Sequence, residues 1–159
     1  MFQVSQYSDK AVKEICYNCG SKTAKQSYNY FRRIHYVTGG KVWSKVWSKV
    51  WSKVWSKEPI AFYYASRCRD HVRLIEIAVR KEYQGQGIGK MVLFDLLSRM
   101  REAGLSKLTF RTPIAEEAQN FWLHMGGRIM DVKGDDYEME LTIKIDNNDN
   151  GTLPQSKMD

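Results

Sequence analysis

Gln84-Gly85-Gln86-Gly87-Ile88-Gly89-Lys90 joins an apolar, strand-like run to a long amphipathic helix, and the rest of the chain can be placed outward from that junction. Gly85, Gly87 and Gly89 allow a tight turn and a close approach of backbone to ligand, with no Cβ in the way. The N–H groups of the helix that follows have no partner in the helix itself. Together with the positive end of the helix dipole they form a site for an anion. Lys90 lies in the first turn, where a cation is otherwise disfavoured, and an anionic ligand explains its place. A nucleotide P-loop is excluded because Met91, not Ser or Thr, follows the lysine. A dinucleotide fingerprint is excluded by the glycine spacing and by the mid-chain position.

Gln84, Gly87 and Gly89 fill the fixed places of a Gln/Arg-x-x-Gly-x-Gly/Ala signature, and the match extends to both sides. Leu74-Ile75-Glu76-Ile77-Ala78-Val79 reads as the preceding strand, and Phe121-Trp122-Leu123-His124-Met125-Gly126 as a Phe-Tyr-x-x-x-Gly helix end. Over roughly residues 60–145 the chain resembles the GNAT superfamily of acyl-CoA-dependent N-acetyltransferases. The resemblance implies an α/β (α+β) fold, a mixed and mostly antiparallel central sheet flanked by helices. It also implies acetyl-CoA as cosubstrate, no metal, and an amine-bearing acceptor, either a small molecule or a protein. By the same resemblance the fourth and fifth strands splay apart around the pantetheine arm. Ala78 and Val79 would hydrogen-bond that arm, and the N–H groups of Gln84, Gly85, Gln86, Gly87, Ile88 and Gly89, with Lys90 beside them, would hold the pyrophosphate. Val79 N–H would then face the oxyanion.

An acceptor amine with a pKa near 10 must lose a proton before it can attack. Glu76, a carboxylate inside an apolar strand and three residues before Val79, is the candidate base. The alternative is a structural ion pair to Arg73 or Arg111. Asp70, His71, His35 and His124 are weaker candidates. The chain departs from the family at two places, carrying Trp122 where many members have a tyrosine acid and Ala115 where many have an asparagine.

With 159 residues the chain reads as one domain over 1–145, followed by a polar tail over 146–159 expected to be disordered. There is no apolar run of membrane-spanning length, and Met1-Phe2-Gln3-Val4-Ser5 lacks signal-peptide character, so the expectation is a cytoplasmic protein. Cys16 and Cys19 share a helical stripe with Val12 and Ile15, which predicts burial rather than metal or redox chemistry. The net charge of +7 leaves a nucleic-acid partner possible but not favoured: each copy of a lysine-bearing repeat adds one charge, and removing three copies would leave +4.

That repeat is four identical copies of Val-Trp-Ser-Lys, from Val42 to Lys57. One copy would suffice for a hairpin into the strand at Ile60–Ser66, so three read as a tandem-duplication insertion. A helix would group Val with Trp, whereas the propensities of Val and Trp favour strand; the expectation is a strand pair projecting from the sheet. The remaining grammar predicts a strand at Phe2–Tyr7, a helix from Ser8 to Cys19, and a second helix over Thr23–Val37 whose aromatic and basic residues could read a substrate. Strands follow at Val72–Val79 and Lys107–Arg111, then a helix with Pro113 early in it, and a hairpin of Arg128–Val132 with Tyr137–Ile145. Two other functions fit this pattern: a GNAT-like CoA-binding or interaction module without transferase activity, and an acyltransferase acting on nucleic acid.

Overall fold

The computed structural model describes residues 2–6, 9–21, 42–51 and 54–145. In chain order these form β1 (Phe2–Gln6), α1 (Asp9–Tyr17), β2 (Val42–Trp51), β3 (Val54–Arg67), β4 (Val72–Val79), a short turn of helix at Lys81–Tyr83, α2 (Ile88–Glu102), β5 (Lys107–Pro113), α3 (Glu116–His124), β6 (Arg128–Lys133) and β7 (Asp136–Thr142). One seven-stranded sheet takes the order β1-β2-β3-β4-β5-β7-β6. Every neighbouring pair is antiparallel except β4 and β5. This is the mixed, mostly antiparallel sheet that the family resemblance implied.

Each face of the sheet carries its own core. On one face Val92, Leu93, Leu96, Leu97 and Met100 of α2 and Trp122 of α3 pack against Ile60, Tyr63, Leu74, Leu108 and Phe110. The i, i+3, i+4 spacing of the α2 residues puts one helical stripe against the strands. On the other face Val12, Ile15, Cys16 and Cys19 meet Phe62, Tyr64 and Ala78. Both thiols are therefore core residues, as their periodicity predicted, and burial pushes the Cys16 thiol far up from its ordinary pKa. Among the described residues no cluster of His, Cys, Asp and Glu could hold a metal ion, and no helix is long and apolar enough to cross a membrane.

The repeat is extended where it is described, in β2 and at the start of β3, in keeping with its β propensity. Lys45 ends the first copy; its Nζ lies 3.7 Å from Asp95 of α2, and Tyr63 OH donates to the same carboxylate at 3.1 Å. The helix is thus tied to two adjacent strands. Pro113 differs from its expected place: it is the last residue of β5, paired with Asp136, and α3 begins only at Glu116. A strand end tolerates proline as readily as a helix start, and the register with β7 decides between them. Ser8, the predicted helix over 23–37 and the tail over 146–159 lie outside the described residues.

The α3–β6 junction depends on Gly127. Its N–H donates to Trp122 O at 2.8 Å, and a Cβ built there would stand 2.9 Å from that oxygen and 3.2 Å from Met139 Cε. The oxygen belongs to the backbone and cannot swing aside. Gly127→Ala is therefore expected to cost about 1–3 kcal/mol, the usual range for overpacking, seen as a lower denaturant midpoint with an unchanged m-value.

Candidate active site

β4 and β5 pair only at Val72↔Leu108 and Arg73↔Thr109. Beyond those residues the two strands part. The closed end is clamped by Arg73, whose guanidinium reaches across β5 to both carboxylate oxygens of Glu138 on β7. The open end is a cleft of about 810 Å³, walled by Leu74–Val79 on one side and Phe110–Pro113 on the other, with Phe121 and Trp122 of α3 among its lining residues. Gly85, Gly87, Gly89 and Lys90 line the same cleft.

The bulge in β4 sets what this wall presents. Tyr64 faces Glu76 while the next residue, Ala65, faces Leu74, leaving Ile75 as an extra residue in β4. An extra residue shifts the alternation of the strand by one. Val72 and Leu74 join the α2 core before it, and Ile77 and Val79 pack against that same core after it. Ile75 turns to the α1 side.

Hydrogen bonding follows the same phase. Arg80 N–H donates to Ile60 O at 2.7 Å, so by strand alternation the N–H groups of Ala78 and Glu76 point toward β3, and those of Val79 and Ile77 point away from it, toward the cleft. Ile77 N–H is held by Glu76 Oε1 at 3.2 Å. Val79 N–H is a second cleft-directed donor. Ala78 brings its side chain to the α1 core, and its peptide groups serve the sheet.

The glycine loop has the conformation its composition asks for. Gly85 and Gly87 hold φ of 80° and 79°, and Gly87 is the N-cap of α2. No atom lies within 4 Å of a Cβ built at either position, so the constraint is one of backbone angle rather than of space. The Gln84 side chain has a different task. Its Nε2 donates to Cys19 O and to Val79 O, both at 2.9 Å, which ties the end of α1, the end of β4 and the loop together. Gln84 N–H is already given to Lys81 O at 3.2 Å, so the loop's candidate donors to an anion run from Gly85 into the first turn of α2. Gln86 turns back to Glu82 O at 3.4 Å, and Lys90 Nζ lies 5.6 Å from the centre of the exposed Phe94 ring. A buried arginine that the motif reading did not single out, Arg80, reaches Glu14 at 2.9 Å and Glu82 at 3.4 Å, and so fixes the loop's approach to α1.

Glu76 is half-buried and is one of the residues that line the cleft. Burial among apolar walls raises its pKa to about 7, against a smaller lowering by the Ile77 N–H. The two cations that could have made it structural are occupied elsewhere: Arg73 pairs with Glu138, and Arg111 with Asp136 at 3.9 Å and Lys133 O at 3.2 Å. Asp70 and His71 pair with each other at 2.8 Å in the turn after β3 and do not line the cleft. His124 does line it, from an exposed position on α3. His35 lies outside the described residues.

Trp122 packs into the core, with its ring centre 4.0 Å from that of Phe110 and 5.0 Å from that of Phe121. Ala115 is the N-cap of α3 and offers that helix no side-chain hydrogen bond.

The GNAT acetyltransferase family model matches residues 16–126, a span that runs from the last residues of α1 through the parted strands and the glycine loop to α3. The chain belongs to the GNAT acetyltransferase family. No curated protein matches this GNAT chain by sequence. Among solved structures it is similar to the ribosomal-protein-S18-alanine N-acetyltransferase of Escherichia coli, with a TM-score of 0.74 and 18% identity over 94% of this chain and 98% of that one. The PaiA N-acetyltransferase of Thermoplasma acidophilum, solved in complex with coenzyme A, superimposes with a TM-score of 0.72 and 13% identity over 90% of this chain and 99% of that one. Ard1 of Thermoplasma volcanium gives 0.71 and 16%, over 90% and 98%. At these identities the likeness is one of fold.

Proposed function

We propose that this GNAT protein transfers an acetyl group from acetyl-CoA to a primary amine of a small molecule or protein. The observation that carries the reading is the parting of β4 and β5 after Arg73, with a glycine-capped helix N-terminus at the mouth of the cleft. The strand-wide gap between β4 and β5 suits an extended, amide-bearing arm. The first turn of α2 and Lys90 suit a pyrophosphate. Bound acetyl-CoA supplies an acyl group activated as a thioester.

The chain's own groups do the rest. Gly85, Gln86, Gly87, Ile88, Gly89 and Lys90 anchor the phosphates, and the Gln84 side chain keeps that loop against β4. Val79 N–H donates to the carbonyl oxygen as it gathers charge. Glu76, ionised above about pH 7, accepts a proton from the acceptor nitrogen, directly or through water. Trp122 has no acidic proton to give, so in this reading the leaving thiolate departs as the anion, which a thiol with a pKa near 8.5 permits.

The test is an acceptor screen that reads free thiol released from acetyl-CoA, with calorimetry of CoA binding alongside. Acceptor-dependent thiol release is expected. CoA binding without release across amines, peptides and nucleic acids would favour a binding module, and release with nucleic acid alone would move the acceptor to that class. Absence of CoA binding would overturn the cofactor reading. A second expected result concerns the loop: Gly87→Ala forces a Cβ into the left-handed region and should cost about 1 kcal/mol in stability. It should also weaken CoA more than a Gly104→Ala control, whose glycine has a similar φ of 74° but stands after the far end of α2.

A further inference from the structure

The Val-Trp-Ser-Lys repeat is the sequence feature that the site leaves unused, and its pairing has an unusual property. β1 pairs with β2 from Phe2↔Lys49 to Gln6↔Lys45, and β3 pairs with β2 from Val42↔Ser66 to Trp51↔Val54. Strand register is ordinarily fixed because a one-residue slip carries the buried set to the other face. A slip of four residues in this strand carries no such penalty. Four is even, so the alternation stays in phase; four is also the period, so each partner meets the residue type it met before.

Followed pair by pair, the slip passes Phe2 from Lys49 to Lys53 and Gln6 from Lys45 to Lys49. Tyr63 passes from Lys45 to Lys49, and Ala61 from Trp47 to Trp51. Every β1 pair is reproduced in kind, and so is every β3 pair from Ser66 to Glu58. Asp95 exchanges Lys45 for Lys49. What is lost is Val50↔Lys57 and Trp51↔Val54, and both lie beyond Ala61, where β3 no longer pairs with β4. The sheet next to the cleft does not register the change.

We propose that β2 occupies two registers four residues apart, the observed one as the major state. The slip passes Val42–Lys45 out of the sheet into the link that follows Ser21. Cys19 and Ser21 line the cleft, so the ratchet changes the length of chain tethered at the cleft's rim while β3, β4 and the glycine loop stay in place. This inference needs only the strand pairing and stands whether or not the acetyl-transfer reading holds.

Disulfide trapping tests it in a Cys68→Ser background. Gln6→Cys with Lys45→Cys reports the observed register, and Gln6→Cys with Lys49→Cys the slipped one. In a single register Gln6 and Lys49 are offset by about 13 Å, four residues at roughly 3.3 Å each, well beyond the roughly 7 Å that a disulfide can bridge. Both pairs are expected to close, the second more slowly, while Gln6→Cys with Trp47→Cys closes at least about tenfold more slowly than either. Closure of the Lys45 pair alone would overturn the proposal, and so would a Trp47 pair as fast as the Lys49 pair, which is fraying. Should the cysteine variants fail to fold, deletion of Val50–Lys53, one whole copy, is expected to leave Tm within a few degrees. Deletion of Val46–Ser48, which puts the strand out of phase with β1 and β3, should lower it clearly further; equal losses would overturn the proposal.

Discussion

Glu76→Gln is expected to lower the acetyl-transfer rate by about 10²–10⁴-fold, the range over which a positioned general base contributes. It should also remove the rise in kcat/KM that the proposed mechanism expects of the wild type through about pH 7. The sign follows from the protonation state that does the work. Burial holds the carboxylate neutral below about pH 7, so Glu76 can act as the proposed base only above that value. An amide does not titrate, and the variant's profile should retain only the ionisation of the acceptor amine. A Glu76→Gln enzyme with the wild-type rate and the same limb near pH 7 would remove Glu76 from the mechanism.

The same substitution should stabilise the fold. The folded-state pKa lies above the unfolded value, so folding favours the proton-bound form. The associated stability is present in full below about pH 4.5 and is lost as pH rises through about 7. At pH 8 the wild type carries this cost and Glu76→Gln does not, a difference of about 2 kcal/mol after allowance for the partial exposure of the group. A gain in Tm at pH 8 that vanishes at pH 4 is the pattern to look for, and it accompanies the loss of rate as a stability–activity trade.

Trp122→Ala is expected to cost about 3–5 kcal/mol, because it empties a site packed against Phe110 and Phe121 in the core cluster that also holds Met139 and Leu141. Trp122→Phe refills most of that volume and should leave kcat close to the wild-type value. Together the two variants separate packing from proton transfer. Denaturant midpoints read the first, and turnover at fixed CoA saturation reads the second. A Trp122→Phe enzyme that keeps its midpoint and loses rate by about a hundredfold, the low end of what a proton-transfer group contributes, would give the indole a part in the chemistry.

Much of the site was legible because its determinants are local. The glycine conformations depend on the glycines themselves, and the donors at the start of α2 on a helix beginning there. The burial of Cys16 and Cys19 follows from spacing within one helix. Trp122 was harder to place: on a helix end it could be read as facing the cleft, and only the approach of Phe110 from β5 makes it a core residue. The division of labour between Ala78 and Val79 was beyond a sequence reading for a similar reason. It depends on the bulge at Ile75, which shifts the phase of β4 and exists only because β3 pairs across it.

Residue order alone was enough for the family, the glycine loop that opens α2, the two core stripes of α1 and α2, and a carboxylate set into an apolar strand. Each of these is written in residues close together in the chain, where spacing and side-chain type are sufficient. Long-range packing settled the rest: β4 and β5 part after Arg73, Val79 and not Ala78 turns its N–H to the cleft, Arg73 and Arg111 pair away from Glu76, and Gln84 braces the loop through Cys19 and Val79. Those outcomes depend on the register of strands remote in sequence, and no local pattern contains a register.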